Sequence, residues 1–204
     1  MKNTIKSAVI GTLVQDEEFE SFWQSEPVGI PLFDNKLIEV VFTDYELGDN
    51  IFLQETEEAL KNFWQLDSNH RNSISKEVYK NCMDFLNAVD YDEADDCLWQ
   101  IKNPREIWEY VYPIEILVSR RHSRDKDIYI TVACECEWER EHGLQLVFRQ
   151  GKKLTRISDQ DGHVTEADAY DKPDSQDKLL SQFSKTENQK PGILNKIMSI
   201  FRNK

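Results

Sequence analysis

Ile128-Tyr129-Ile130-Thr131-Val132-Ala133-Cys134-Glu135-Cys136-Glu137-Trp138 is the stretch that decides the fold. Ile128, Ile130, Val132, Cys134, Cys136 and Trp138 fall at every second position, with Tyr129, Thr131, Ala133, Glu135 and Glu137 between them. A period of two sends alternate side chains to opposite faces of a strand. Six apolar positions at that period predict a strand with one buried face, as in an antiparallel sheet.

The pattern extends in both directions. Upstream, Ile114, Ile116 and Val118 alternate with Glu115, Leu117 and Ser119, and Arg120 to Lys126 reads as a charged, exposed hairpin tip. Charges at such a tip protect strand edges from pairing with other chains, and a phosphate or partner contact is the functional alternative. Downstream, His142-Gly143 makes a turn, Leu144, Leu146 and Phe148 resume the alternation, and Gln150-Gly151-Lys152 leads into Leu154 to Ile157. With Asp161-Gly162 as a third turn, the C-terminal half is expected to be a β-meander.

Before Pro113 the period changes. Ala59, Leu60, Phe63 and Trp64 stand at helical spacing within Gln54 to Leu66, with Glu57 and Lys61 four apart in the favourable order. Asp67 or Ser68 can cap a second helix, whose stripe is Ile74, Val78, Cys82 and either Phe85 or Leu86. Asn103-Pro104 opens a short helix. Ile5 to Val14 and Leu37 to Phe42 read as strands, with Val28 to Phe33 beside the second and Phe19, Phe22 and Trp23 in an acidic connector. The expected fold is therefore α+β, an antiparallel sheet packed against a central helical pair, in a single domain over residues 1–170.

The chain has 204 residues and a net charge of -13, from 25 Lys and Arg against 38 Asp and Glu. Aromatic residues at 11% and apolar residues at 39% argue against wholesale disorder. The acidity excludes nucleic acid as the main partner, since phosphate binding wants a positive surface. No apolar window approaches the ~18 residues of a spanning helix, and no signal peptide is expected. Four cysteines in a chain of this size need no disulfide, so the cytoplasm is the expected compartment.

Residues 171–190 are polar and are expected to be a flexible linker. Residues 191–204 read as a short, basic amphipathic helix carrying Ile193, Leu194, Ile197, Met198 and Phe201. Residues 172–204 hold 7 Lys or Arg and 3 Asp or Glu, so the acidity belongs to the remainder. A helix that short is marginal alone and needs a surface. A partner groove or the protein's own acidic body is favoured over a membrane, because anionic lipid would repel the body.

Cys136-Glu137-Trp138-Glu139-Arg140-Glu141-His142-Gly143-Leu144 resembles the mark of an uncharacterised family of bacterial proteins, a domain of unknown function. That mark is Trp, an acidic residue, any residue, then Glu-His-Gly-Leu. Phe22-Trp23, the helices from Gln54 to Asn87 and the Asp161-Gly162 turn are similar to further features of the family. The resemblance spans roughly residues 5–170. It implies a fold and no defined reaction. Some domains of this kind look like immunity proteins encoded beside bacterial toxin genes.

Several residues are candidates for chemistry. Glu139, Glu141 and His142 suit acid–base or metal work, because a carboxylate beside an imidazole can hold a proton near neutral pH. Alternation sends neighbours to opposite faces, however, and His142-Gly143 equally suits a hairpin cap. Cys134 and Cys136 share one face but stand among Ile130, Val132 and Trp138, so they read as small buried hydrophobes and not as zinc ligands. Asp159, Asp161 and His163 fail the calcium-loop pattern, which puts glycine at the sixth place and Glu at the twelfth. No phosphate loop, Gly-x-Ser-x-Gly elbow or His-Glu-x-x-His motif occurs.

Asp90, Asp92, Glu93, Asp95 and Asp96 place five acids in seven residues. The plain reading is a solvated loop. The functional reading is a docking patch, with the acids steering a basic partner and Tyr91 and Trp99 anchoring it. The expected function is thus a non-enzymatic binding protein, possessing no metal or cofactor, that occludes the basic surface of a protein partner such as a toxin. Two alternatives stay open: an enzyme using Glu139, Glu141 or His142, and a peripheral adaptor using the C-terminal helix.

Overall fold

The structure is a computed structural model that describes residues 3–182. The expected C-terminal helix, with Ile193, Leu194, Ile197, Met198 and Phe201, lies outside the described residues. So does the linker beyond 182.

Nine strands form a mixed α+β sheet: β1 (Thr4–Ser7), β2 (Gly11–Gln15), β3 (Trp23–Ser25), β4 (Val28–Ile30), β5 (Lys36–Phe42), β6 (Val111–Arg120), β7 (Ile128–Cys136), β8 (Leu144–Arg149) and β9 (Lys153–Ser158). The spatial order is β1-β2-β3-β5-β6-β7-β8-β9, and β4 pairs with β5 off that path. Every pairing is antiparallel except β5 with β6. A parallel pair needs a long crossover. Here it contains α1 (Asn50–Phe63), α2 (Ser68–Ser73), α3 (Ser75–Ala88) and α4 (Asp96–Trp99).

Local chemistry sets the helix boundaries. Asp49 accepts the N–H groups of Ile51 and Phe52 at the start of α1. Asp67 and His70 exchange bonds in a capping box that opens α2, and this holds the Asp67 carboxyl down at about 2. The chain turns at Ile74, so the second expected helix is two helices. In α3 the buried stripe is Val78, Cys82 and Leu86, which decides for Leu86 over Phe85.

The helices cover one face of the sheet, where Ile116, Val118, Ile130, Val132, Leu146 and Phe148 are buried. The rings of Phe63 in α1 and Phe148 in β8 meet edge to face at 5.3 Å. Gly151 lets the β8–β9 turn lie against α1: its φ is +64°, and a Cβ there would sit 2.0 Å from the Ala59 carbonyl oxygen.

Four expectations need correction. Ile5 to Val14 is a hairpin, not one strand, and the Glu57 carboxylate accepts the Ala8 N–H at its turn. Trp23, placed in a connector, belongs to β3 and is buried, with its Nε1–H donating to the Tyr45 carbonyl. β6 carries a bulge between Pro113 and Glu115. The extra residue breaks the alternation, and Ile114 stands 49% exposed instead of joining Ile116 and Val118.

β7 has two buried faces: Tyr129, Thr131 and Ala133 are as enclosed as Ile130 and Val132. Residues 161–177 lie over that second face, and the chain then passes to the helix side, where Leu179 and Gln182 line a hollow with Leu66, Ile74 and Phe148. Residues 161–182 include α5 (Glu166–Ala169), a 3-10 turn at Asp174–Gln176, and buried Ala167, Asp177 and Leu180. Residues 171–182, expected as linker, are therefore built into the domain.

Arg121 fastens this strap. Read as an exposed hairpin tip, it is only 2% exposed and binds three carboxylates. Its Nε and Nη2 donate to Asp168 at 2.7 and 2.8 Å, its Nη1 and Nη2 to Asp174 at 3.0 and 2.7 Å, and its Nη1 to Asp125 at 2.9 Å. Arg124 adds bonds to Asp174 and to the Lys172 carbonyl. Burial alone would lower the Arg121 pKa, but these bonds raise it well above its ordinary value. Arg156, also buried, holds Asp161 and the His163 carbonyl at the strap's beginning.

Candidate functional site

The turn from β7 to β8 contains the expected Glu139, Glu141 and His142. Trp138 is buried, and its Nε1–H donates to Asn81 of α3 at 3.1 Å. Glu139 Oε1 accepts the N–H groups of Glu141 and His142, both at 3.2 Å. The Glu139 carbonyl accepts the Gly143 N–H at 2.9 Å. Gly143 has φ +63°, and a Cβ there would lie 2.5 Å from the Cys134 carbonyl oxygen. Leu144 enters the core. The cap of this turn is thus Glu139, where the sequence pointed to His142.

His142 Nδ1 lies 3.5 Å from the same Glu139 oxygen, and its side chain is largely exposed. An open hollow of about 400 Å³ is lined by Tyr112, Glu135, Glu137, Glu139, Glu141 and His142. The structure brings the three candidates together, but it commits the Glu139 oxygen to backbone N–H groups. Among the described residues, no cluster of three or more His, Cys, Asp or Glu could hold a metal. Cys82, Cys134 and Cys136 are buried free thiols. Burial pushes the Cys82 pKa up to about 12 and that of Cys136 up to about 11.

The acidic loop runs beside this turn. Asp92 caps a 3-10 turn at Glu93–Asp95 by accepting the Ala94 N–H. The Tyr91 hydroxyl donates to Asp96, which raises the tyrosine's pKa and keeps it a neutral donor. Tyr91 is 66% exposed and Trp99 39%. Asp95 turns inward, and Arg140 reaches it at 3.6 Å while standing 3.8 Å from Glu137. Arg140 therefore joins the loop to the β7–β8 turn. Sequence reading missed this link, because Asp95 and Arg140 are 45 residues apart and no local pattern relates them.

From Glu137 the surface continues onto the sheet. The Tyr112 hydroxyl donates to Glu137 at 3.0 Å. Next to Tyr112 stand exposed Ile114 and half-buried Glu115. Glu115 sits in register with Glu39 of β5. Burial and the Glu39 charge both raise the Glu115 pKa. Like charges directly opposite each other on neighbouring strands destabilise a sheet. No ion pair among the described residues involves either carboxylate. Arg140 and Glu137 thus link the acidic loop, the β7–β8 turn and the Tyr112 stretch of the sheet, and Tyr91, Trp99, Tyr112 and Ile114 are exposed on these segments.

Fold and site together define a small α+β domain with an acidic, aromatic-bearing face. Residues 9–164 match a family described as a domain of unknown function, DUF6985, and the chain belongs to that family. The chain matches no curated protein and no solved structure. No helix among the described residues is long and apolar enough to cross a membrane.

Proposed function

We propose that the domain is a non-enzymatic, cytoplasmic protein-binding module of bacteria. It sets the surface from Tyr91 to Glu115 against the basic face of a partner protein, in the manner of an immunity protein occluding a toxin. The Arg140 bridge carries this reading, because it makes one surface of the acidic loop, the β7–β8 turn and the open part of the sheet. Asp92, Glu93 and Asp96 provide steering charge. Tyr91, Trp99 and Tyr112 are the aromatic type that dominates interface energies. The Glu39–Glu115 pair supports the same reading, since a cation from outside would relieve a repulsion that no ion pair among the described residues relieves.

The acid–base alternative has less support, because the Glu139 oxygen nearest His142 already accepts two N–H groups. The test is quantitative recovery of bound proteins from the source cell on immobilised wild-type chain and on an Asp92→Lys, Glu93→Lys, Asp96→Lys variant. The proposal expects a basic protein retained by the wild type and lost from the variant. Equal recovery on both would contradict it.

A further inference from the structure

A second cavity lies on the other part of the same face, beneath the strap. It measures about 450 Å³, within the range of small-molecule sites. It opens at the carboxyl ends of the only parallel pair among the described strands. Thr43 and Asp44 follow β5, and Ser119 and Arg120 end β6. Ligands of open sheets with parallel strands enter crevices at those ends.

Thr131 and Gln145 lie in its wall, 6% and 4% exposed. Gln145 Nε2 faces Ser158 Oγ at 2.9 Å, Asp161 Oδ1 at 3.1 Å and the His163 carbonyl at 3.0 Å. These contacts fix which end of the amide is nitrogen and leave Oε1 on the other side. Neither Gln145 Oε1 nor Thr131 Oγ1 bonds to any described residue, and neither is among the fully enclosed orphan atoms. Both oxygens therefore reach cavity space. Two acceptor oxygens on adjacent strands, with no partner within the described fold, are thus open to a molecule that enters the cavity.

The charges around them select its chemistry. Arg121 is saturated by three aspartates, and Arg120 is engaged by Glu55 and the Lys126 carbonyl. Asp44 accepts the Arg120 N–H at 2.7 Å. The buried groups left uncommitted are neutral, the Gln145 oxygen and the Thr131 hydroxyl; Ser119, Ser123, Leu117, Val164, Asp44 and the exposed imidazoles of His122 and His163 also line the cavity. We propose that this cavity binds an uncharged, polyhydroxylated small molecule of monosaccharide size, with Thr131 and Gln145 as the recognising groups. The site is independent of the acidic surface.

The test is calorimetric or NMR titration of the full chain with ribose, glucose, myo-inositol and adenosine. Inorganic phosphate and spermidine serve as charged controls, and ligands run to about 10 mM to reach weak affinities. Sugar or inositol binding would mark a free polyol site, and adenosine alone a ribose site. Thr131→Val should weaken the binding at least tenfold. It should leave the melting temperature equal or higher, because removing an unpaired buried hydroxyl at nearly constant shape costs the fold nothing. No neutral ligand binding, binding by the charged controls alone, or binding unchanged by Thr131→Val would overturn the proposal. So would a lower melting temperature in Thr131→Val, which would give the hydroxyl to the fold.

Discussion

Arg121→Met removes the guanidinium at the centre of the strap and keeps most of the side-chain volume. Five hydrogen bonds disappear, and Asp125, Asp168 and Asp174 lose their shared cation. Breaking a buried ion pair by deleting one partner costs about 3–5 kcal/mol. The low end applies, because Arg124 still reaches Asp168 at 3.3 Å and Asp174 at 2.8 Å. A loss of about 3 kcal/mol lowers the melting temperature of a domain this size by about 6–12 °C. Hydrogen exchange should localise the effect, with the amides of Lys172, Asp177 and Ser181 exchanging faster because their acceptors lie within the strap. The pH dependence carries a sign. Asp174 is held below its ordinary value by its bonds to Arg121, and in Asp168 the bonds to Arg121 and Thr165 outweigh the opposing effect of burial. Depressed carboxylates contribute stability that is full above the unfolded value of about 3.9 and is lost as pH falls through the folded value. The gap between wild type and variant should therefore narrow below about pH 4. A melting temperature within about 1 °C of wild type at pH 7, with unchanged exchange in the strap, would refute the reasoning.

Other outcomes follow from the same geometry. Gly151→Ala should cost well over the roughly 1–2 kcal/mol of a left-handed residue, because its Cβ meets the Ala59 carbonyl, whereas Gly162→Ala, with nothing within 4 Å, should cost only that strain; denaturant midpoints compare the two. Glu115→Gln should stabilise at pH 7 by up to about 1 kcal/mol by removing the repulsion from Glu39. Glu115 has a raised folded pKa, so that gain should vanish at acid pH, where the wild-type carboxyl is protonated. Among the described cysteines, Cys97 should react rapidly with a thiol reagent in the native state and Cys82, Cys134 and Cys136 only on unfolding, since Cys97 alone is exposed.

The alternation of β7 carried the fold class, because six apolar residues at period two admit no helix. The stripe of α1 was equally plain. What escaped the sequence was set by distant partners. Thr131 and Tyr129 read as an outer face because nothing nearby announces the strap that covers them. Arg121 read as solvated because two of its three aspartates lie 47 and 53 residues away, and a charged tip is the ordinary surface reading. β3 is three residues long, too short to display a period, and the bulge at Ile114 obeys register with β7 and no local rule. The candidate surface was half legible. The acids and aromatics of residues 90–99 stand out in composition, while their union with Glu137 and Tyr112 depends on Arg140. The motif from Trp138 to Leu144 was visible as a turn, but the capping duty of Glu139 needed coordinates.

The most direct test of the binding surface is the association rate of the recovered basic partner with wild-type chain and with the Asp92→Lys, Glu93→Lys, Asp96→Lys variant, at low salt and near 1 M salt. Screening shortens the reach of charge from about 30 Å at 0.01 M to about 3 Å at 1 M. The acidic surface predicts association at least tenfold slower for the variant at low salt, with the difference collapsing at high salt. Equal rates for both chains at low salt would contradict it.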